Sequence, residues 1–397
     1  MPLIHSSKTQ PRIYPINGNV SAVQIDRIQD ITEDITLNRE RRKEVGSAQT
    51  IDYKNSTPDF RYSMRQFEYG SLALYRKLAN KGDAVTQIAL TDFNSSISDI
   101  AVFLTDDDST FKGTIWMPKL RVNGFTVNIA DPEADTERNF DLVGEDYKIF
   151  QGNNKYLVQG RATCATAEAT KVITVNSPAP VANPDDSTYF LRVTRYNGST
   201  TEELELTTDY TWNQGLTQLT VTGNSVGDII TYYYTATTYV GTIWTDNTSD
   251  VGAYPASHWS VYVGSGNYLY RLQSASIEVS MNRFDLGEIG NNEKVQFGNK
   301  DSTVRINLGR ILEAFTLEEI LRGQTASYGV LDAREYLDNI TFYARLYDDE
   351  AKTSHKLTYK CTNCTPASMS GSRPKDDYIT QNVILEADNL AIATTAI

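Results

Sequence analysis

The sequence predicts a mainly β protein made of two tandem β-sandwich or barrel domains, each with one short helix, plus a small inserted β-sandwich-like domain. Three observations predict this fold class. Tyr dominates the aromatic residues, with 24 Tyr against 13 Phe and 4 Trp, and Tyr, Thr, Val and Ile favour strands over helices. Apolar and polar residues alternate through many short segments. Finally, a segment near the start of the chain matches one near its end, which indicates an internal repeat.

Composition narrows the range of functions. The 397 residues include 37 basic and 50 acidic side chains, a formal net charge of −13. This balance argues against gripping nucleic acid, which needs clustered Lys and Arg to neutralise phosphates. The N-terminal residues do not read as a secretory signal and no window approaches a membrane span, so we expect no membrane insertion. Three cysteines are too few for a disulfide framework, which predicts synthesis in a reducing cytoplasm.

The internal repeat defines the predicted domains. Residues 37–46 read LNRERRKEVG and residues 281–290 read MNRFDLGEIG, so that Asn38-Arg39 falls on Asn282-Arg283. The register, an offset of 244 and later 243 residues, continues with few breaks to the C-terminus and keeps the apolar positions. We therefore predict an N-terminal arm over residues 1–26, a first domain over 27–150, an inserted β domain with linkers over 151–262, and a second domain over 263–397.

Each repeat predicts strands, one short helix and further strands. Ile277, Val279 and Met281 alternate with Glu278, Ser280 and Asn282, which is typical of a half-buried strand. The segment 316–319 reads TLEE, a capping box that predicts a helix start, and Gly323 suits the helix end. In the first copy, Ser71 is the candidate cap and Leu72, Tyr75 and Leu78 form one apolar helix face.

The insert predicts a small β-sandwich. Strand-like runs occur at 189–193, 219–223 and 227–234, after a Pro-rich segment at 177–186. Short strands at this spacing, with Gly, Asn and Asp in the turns, are typical of a sandwich. Its place between two copies of one unit predicts an appendage that projects from the surface.

No motif predicts catalysis or a cofactor. Cys361 lies six residues after His355, and Cys364 follows three residues later. A structural zinc site needs four ligands, however, so buried thiols are the favoured interpretation. Acidic clusters at 106–108, 145–146 and 348–350 read as solvated turns without the spacing of a calcium-binding loop. The chain is therefore predicted not to be an enzyme and to hold no cofactor or metal.

An unrecognised hydrolase remains one alternative. The Tyr run 232–234, with Trp244, Trp259 and Tyr262, keeps open a carbohydrate-binding adhesin or tail-fibre module.

The second copy also resembles a known family. The segment from Arg271 to Ser280, the loop at Glu288-Ile-Gly290, the following strand and the helix resemble tail tube proteins of tailed bacteriophages, which share a fold with the type VI secretion tube. The segment 366–371, followed by an alternating strand into 385–388, is similar too. The resemblance covers residues 20–150 and 265–397. A doubled tube-like domain looks like the variant of certain long-tailed siphophages, in which a trimer of double-domain subunits replaces a hexamer.

The resemblance implies a structural virion protein of the viral tail, a tail tube subunit. Stacked homotrimeric, pseudo-hexameric rings in a helical assembly would form the conduit for DNA ejection, with DNA passing through unbound. A baseplate ring protein is the related alternative. Implied partners are the same chain, the tape measure protein, the tail terminator and the baseplate or tip proteins. Candidate assembly-loop residues are Glu44, Gly46, Glu288 and Gly290. Candidate lumen-facing residues are Glu278, Ser280, Asn282, Thr32, Asp34 and Thr36.

Overall fold

The computed structural model describes residues 9–16, 20–37, 39–42, 52–55, 58–106, 110–130, 133–152, 155–165, 169–175, 178–181, 190–239, 252–264, 266–287, 294–299, 301–312, 316–323, 336–375 and 377–396. Within these residues strands far outnumber helices, which confirms the mainly β prediction.

The strands fall into three consecutive groups. The first copy comprises β1 (Gln10–Pro15), β2 (Val23–Gln24), β3 (Ile28–Thr36), β4 (Arg39–Arg42), β5 (Asp52–Asn55), β6 (Asp59–Phe67), α1 (Ala73–Leu78), β7 (Gln87–Ala89), β8 (Ser98–Thr105), β9 (Phe111–Ile129), β10 (Glu137–Gly144) and β11 (Lys148–Gln151). The insert comprises β12 (Tyr156–Thr163), β13 (Thr170–Thr174), β14 (Phe190–Tyr196), β15 (Thr201–Glu203), β16 (Tyr210–Asn213), β17 (Gln218–Thr222) and β18 (Ile229–Ala236). The second copy comprises β19 (Trp259–Val263), β20 (Asn267–Tyr268), β21 (Leu272–Ser280), β22 (Arg283–Gly287), β23 (Lys294–Asn299), β24 (Thr303–Ile311), α2 (Thr316–Arg322), β25 (Ile340–Tyr347), β26 (His355–Ser372), β27 (Thr380–Ala387) and β28 (Asn389–Ala393).

The two copies pair their strands in the same way. The first copy has the order β3-β6-β10-β9 and the second has β21-β24-β27-β26. Even irregularities recur: the register of β3 against β6 shifts after Ile28, and that of β21 against β24 shifts after Leu272. Arg27 and Arg271 share a positive φ, of 59° and 60°. These repeated details, 244 residues apart, support the duplication that the sequence indicates.

Both copies contribute to one continuous sheet, which we call the inner sheet. Strand β9 of the first copy pairs antiparallel with β21 of the second, which gives the eight-stranded order β3-β6-β10-β9-β21-β24-β27-β26. The long strands β9 and β26 also enter the outer sheets through their N-terminal halves. In each strand the change from the outer to the inner sheet follows a residue with a positive φ, Lys119 at 54° and Asn363 at 56°. Because the sheet crosses from one copy into the other, the predicted limits 27–150 and 263–397 do not separate two independent sheets.

Two outer sheets cover the apolar side of the inner sheet. The first runs β2-β1-β8-β9-β11, and the second runs β20-β19-β25-β26-β28-β7. Strand β1 places Ile13 and Tyr14 in the interior. The assignment of residues 1–26 to an arm therefore needs correction for Gln10–Pro15 and Val23–Gln24, because β1 pairs antiparallel with β8 and β2, so that its backbone hydrogen bonds are made within the sheet.

The main core lies between the inner and outer sheets and includes both helices. Leu72, Tyr75 and Leu78 are buried as predicted, and Tyr75 packs edge-on against Phe125 at 5.4 Å between ring centroids. The predicted cap needs correction: Leu72 occupies the N-cap position of α1, and Ser71, one residue earlier, accepts a hydrogen bond from the Ala73 amide through its hydroxyl at 3.1 Å. The interior of each copy is therefore closed by its own short helix.

Each copy contains a buried ionic network of an arginine, a glutamine and a glutamate. The arginine and the glutamine occupy each other's strand positions in the two copies. In the first copy Arg138 on β10 donates to Gln66 on β6 at 2.8 Å and pairs with Glu68. In the second copy the arginine is Arg310 on β24, which donates to Gln381 on β27 at 2.8 Å and pairs with Glu318 at 2.6 Å. Both arrangements pair a buried guanidinium group with a buried carboxylate, which compensates its charge in the core.

The insert packs on the first copy through a shared core. Its two small sheets, β12-β18-β14-β15 and β13-β17-β16, enclose their own apolar cluster. A further cluster joins Tyr233 of the insert to Phe103 and Trp116 of the first outer sheet. The buried Arg192 of the insert also forms a two-pronged ion pair with the buried Asp99. The expectation of a merely projecting appendage needs correction, because the insert covers an apolar face that would otherwise contact water.

Candidate functional site

The exposed side of the inner sheet is polar, and we call it the polar face. On β21, Ile277 and Val279 are buried whereas Glu278 is exposed and Ser280 is half-buried. Met281 is also buried, and Asn282 is exposed in the turn that follows β21. There the amide of Asn282 donates to the carbonyl of Asp301 at 2.7 Å. The counterparts in β3, which are Thr32, Asp34 and Thr36, are all exposed. The residues predicted to face a lumen thus lie on one side of one sheet, apart from Asn282 at its edge.

The polar face is concave. Two hollows open on it, of about 970 Å³ and 620 Å³. The larger is lined by residues of both copies, among them Asn139, Asp141, Glu278, Arg305 and Glu386. The smaller continues along the same strands past Asn128, Ser276, Asn307 and Asn382. Because the apolar core lies on the other side of the sheet, both hollows open to solvent and not into the protein interior.

Acidic side chains outnumber basic ones on the polar face. The strand register places Asp34 opposite Arg61 in the first copy and Glu278 opposite Arg305 in the second. Arg305 also lies 3.7 Å from Glu386 on its other side. The residues that share this side of the sheet include seven carboxylates, Asp30, Asp34, Asp59, Glu137, Asp141, Glu278 and Glu386, and four arginines, Arg61, Arg65, Arg121 and Arg305. Arginines on this face therefore have carboxylates as neighbours, and the surface is net negative.

The junction between the copies is closely fitted. At Gly124 a Cβ atom would lie 2.4 Å from the carbonyl oxygen of Val279, so only glycine fits there without a shift. Arg283, just beyond β21, donates to the carbonyls of Phe93 and Asn94 at 2.6 and 3.1 Å and to that of Val122. Burial, together with the nearby charge of Arg121, lowers the pKa of Arg283 to about 10. In the sequence, Arg283 was visible only as part of the Asn-Arg dipeptide that repeats in both copies. Its hydrogen bonds between the two copies could not be predicted from that repeat.

The inner sheet has two edges without a partner strand among the described residues, namely β3 and the C-terminal half of β26. Ile35 on β3 is 39% exposed, whereas its counterpart Val279 at the junction is 5% exposed. Likewise Met369 on β26 is half-buried, whereas its counterpart Phe125 is buried. The same positions are thus covered where a neighbouring copy is present and uncovered where none is.

The predicted assembly loops extend from two equivalent hairpins. Strand β4 pairs with β5, and β22 with β23, in the same register 244 residues apart. Glu44, Gly46, Glu288 and Gly290 belong to the connections of these hairpins and lie outside the described residues. Their role in assembly stays a prediction.

Other candidate residues from the sequence are structural in the described part of the chain. Cys164, Cys361 and Cys364 form no disulfide and are buried, and burial raises the pKa of Cys364 to about 12. The described residues contain no group of His, Cys, Asp or Glu suited to a metal ion. His355 bonds to the hydroxyl of Thr358 at 2.6 Å. Tyr232, Tyr233 and Tyr234 are buried, which removes them as a surface for stacking on sugars.

Two further aromatic candidates have different positions. Trp259 is buried, and its indole N–H donates to the Thr136 hydroxyl at 2.9 Å. Tyr262 is half-buried on the second outer sheet, and Trp244 lies outside the described residues. No described helix has the length and apolar character needed to span a membrane.

Comparisons with known proteins give only distant similarities. No protein-family model matches the chain, and no curated protein does. Among solved structures, the cap that terminates the tube of the anti-feeding prophage is 16% identical, with a TM-score of 0.29, over 38% of this chain and 100% of the cap chain. A chain of the sheath-tube complex of an extracellular contractile injection system is 16% identical, with a TM-score of 0.28, over 39% and 100%. A chain of that system's sheath/tube terminator is 17% identical, with a TM-score of 0.29, over 36% and 99%. At these values the similarities establish neither a family nor a function for this chain.

Proposed function

We propose that this protein is a tail tube subunit, a structural virion protein that polymerises as stacked rings around a lumen. One observation carries the proposal: the chain builds a curved eight-stranded sheet with a polar concave face and two open edges. An open edge is a liability unless another strand covers it, and closure into a barrel removes the edges altogether. The resemblance noted in the sequence points to the same assembly.

The number of strands favours several chains in each ring. With strands about 4.8 Å apart and tilted by about 40°, a barrel of eight strands is roughly 16 Å across between backbones. Side chains fill so narrow a barrel. Three chains would supply three times as many strands, for a barrel roughly 50 Å across with an open channel. A trimer of double copies, pseudo-hexameric in its repeats, is the ring we propose.

The charge of the polar face suits a conduit for DNA. A net negative wall repels phosphates, and arginines flanked by carboxylates, such as Arg305 beside Glu278 and Glu386, are poor phosphate sites. DNA would therefore pass the wall without being held. The acidic composition of the whole chain points the same way.

We propose that successive rings stack through the two hairpins β4–β5 and β22–β23, whose connections contain the predicted loop residues. The tape measure protein, the tail terminator and the baseplate or tip proteins are the partners that this role implies. The site of action is the virion tail, after synthesis in the host cytoplasm.

Electron microscopy of the concentrated protein tests the proposal. We expect rings or filaments with a central hole, and we expect Ile35→Lys, which places a charge on the β3 edge, to abolish them. Ile149→Lys is the matched control, because Ile149 is a 62% exposed residue of β11 outside the inner sheet. Single monomers at every concentration, even with the other tail proteins present, would refute ring assembly.

A further inference from the structure

We propose that β26 of one chain pairs antiparallel with β3 of the next, in the register of the internal junction, and forms a weaker seam. This inference rests on the proposed ring assembly. The internal junction joins the last inner strand of one copy, β9, to the first inner strand of the next, β21. The two free edges are equivalent to these two strands. Strand β26, the last inner strand of the second copy, corresponds to β9, and β3, the first inner strand of the first copy, corresponds to β21. A second molecule of this chain therefore offers each edge the partner it lacks.

The register follows from residues that have the same place in both copies. At the junction Val279 lies opposite Phe125, and Glu278 lies opposite Thr126. The counterparts of Val279 and Glu278 in β3 are Ile35 and Asp34, as their pairing with β6 shows. The counterparts of Phe125 and Thr126 in β26 are Met369 and Ser370, since both strands shift register at the same point against β10 and β27.

The seam therefore pairs Ile35 with Met369 and Asp34 with Ser370. Farther along it pairs Thr32 with Ser372. Pairing of Ile35 with Met369 would cover the two side chains that are more exposed than their counterparts at the junction. The exposed apolar groups on the two edges thus match one another in position.

Two differences make the seam weaker than the junction. Where β9 reads GFTVNI over 124–129, β26 and its continuation read SMSGSR over 368–373, with fewer residues that favour strands. Ser368 also occupies the position of Gly124, where a Cβ atom would contact the facing carbonyl oxygen. We therefore infer that the seam ends at the Ile35–Met369 pair. A weak, polar edge limits uncontrolled pairing of free subunits, as edge strands in natural proteins often do.

Cysteine cross-linking in the assembled full-length protein tests the register. Opposed residues in antiparallel strands lie about 4.5–5.5 Å apart at Cα, within the range of a disulfide, whereas diagonal neighbours lie near or beyond its limit. We expect Asp34→Cys with Ser370→Cys to give, on oxidation, a ladder of cross-linked chains that ends at the trimer. Asp34→Cys with Ser372→Cys, two residues out of register, should give a several-fold lower yield. The native cysteines are buried and do not compete.

A third variant validates the chemistry. Thr126→Cys with Glu278→Cys joins the equivalent pair at the internal junction and should form a disulfide within one chain. If rings are seen by microscopy but the Ser372 variant cross-links as well as the Ser370 variant, or neither does, the proposed seam is wrong while ring assembly stands. If the protein forms no rings and no cross-linked oligomers, the proposed function fails together with the seam.

Discussion

Loss of the Arg192 guanidinium should detach the insert from the first copy. Arg192 and Asp99 are 2% and 0% exposed in their side chains, and Arg192 donates to both carboxylate oxygens. Burial by itself would lower the pKa of Arg192, but the adjacent Asp99 carboxylate outweighs it and raises the pKa. Arg192 is therefore held in its charged form inside the interface, where the ring of Tyr233 lies 4.6 Å from its guanidinium carbon.

The magnitude follows from the burial of both partners. Arg192→Met keeps most of the aliphatic packing but leaves the Asp99 carboxylate buried without its counter-charge, a loss of about 3–5 kcal/mol. That is roughly two to four orders of magnitude in the docking equilibrium. The Lys119 amide still donates to Asp99 at 2.8 Å, which places the expectation at the lower end of this range. Arg192→Met with Asp99→Asn should recover part of the loss, since the unpaired charge is then absent.

Hydrogen exchange of β8 and β14, measured by mass spectrometry, reports this docking directly. Arg195→Met is the matched control on the same strand, because Arg195 pairs with Glu202 and donates to the carbonyls of Thr222 and Gly223, all of them within the insert, so its loss leaves the ion pair with the first copy in place. An Arg192→Met protein that loses no more protection than the control would refute the docking role of the ion pair.

Three further predictions concern the junction, the seam and the thiols. Arg283→Ala should lower the free energy of unfolding of the folded monomer, measured by urea denaturation, by about 2–4 kcal/mol, since a charged donor to three carbonyls is lost. An unchanged urea midpoint would contradict the role of Arg283 at the junction between the copies. The double substitution Ser368→Gly with Gly371→Val gives β26 the residues that β9 has at the equivalent positions, and position 371 has room for a side chain. It should lower the protein concentration at which rings appear in light scattering. A higher concentration for ring formation would count against the weak seam. The three thiols should react with Ellman's reagent at pH 8 only as fast as the protein unfolds. All three are buried, and burial raises the pKa of the two thiols in β26. A rapid reaction in native buffer would show that at least one thiol is accessible.

The packing of the insert on the first outer sheet could not be predicted from the sequence, although the two outer sheets differ in residue type at equivalent positions. Phe103 and Trp116 in the first copy correspond, by strand pairing, to Arg345 and Lys360 in the second. The apolar pair lies under the insert, whereas the charged pair is half-buried on the equivalent face of the second copy. A residue-by-residue comparison of the two copies would therefore indicate which outer sheet the insert covers. The comparison requires the strand register, because the sequence alignment is off by one or two positions here.

The sequence by itself determined the strand-rich fold, the repeat, the helix faces and the side of β21 that is polar. It could do so because alternation fixes which side chains share a face, and because a repeated pattern survives substitution. Only the tertiary structure decided which strand edges meet, that β1 belongs to the sheet, and that the insert packs on the first copy. Edges meet through backbone hydrogen bonds that are the same for every residue type, so the choice of partner depends on how the whole chain packs.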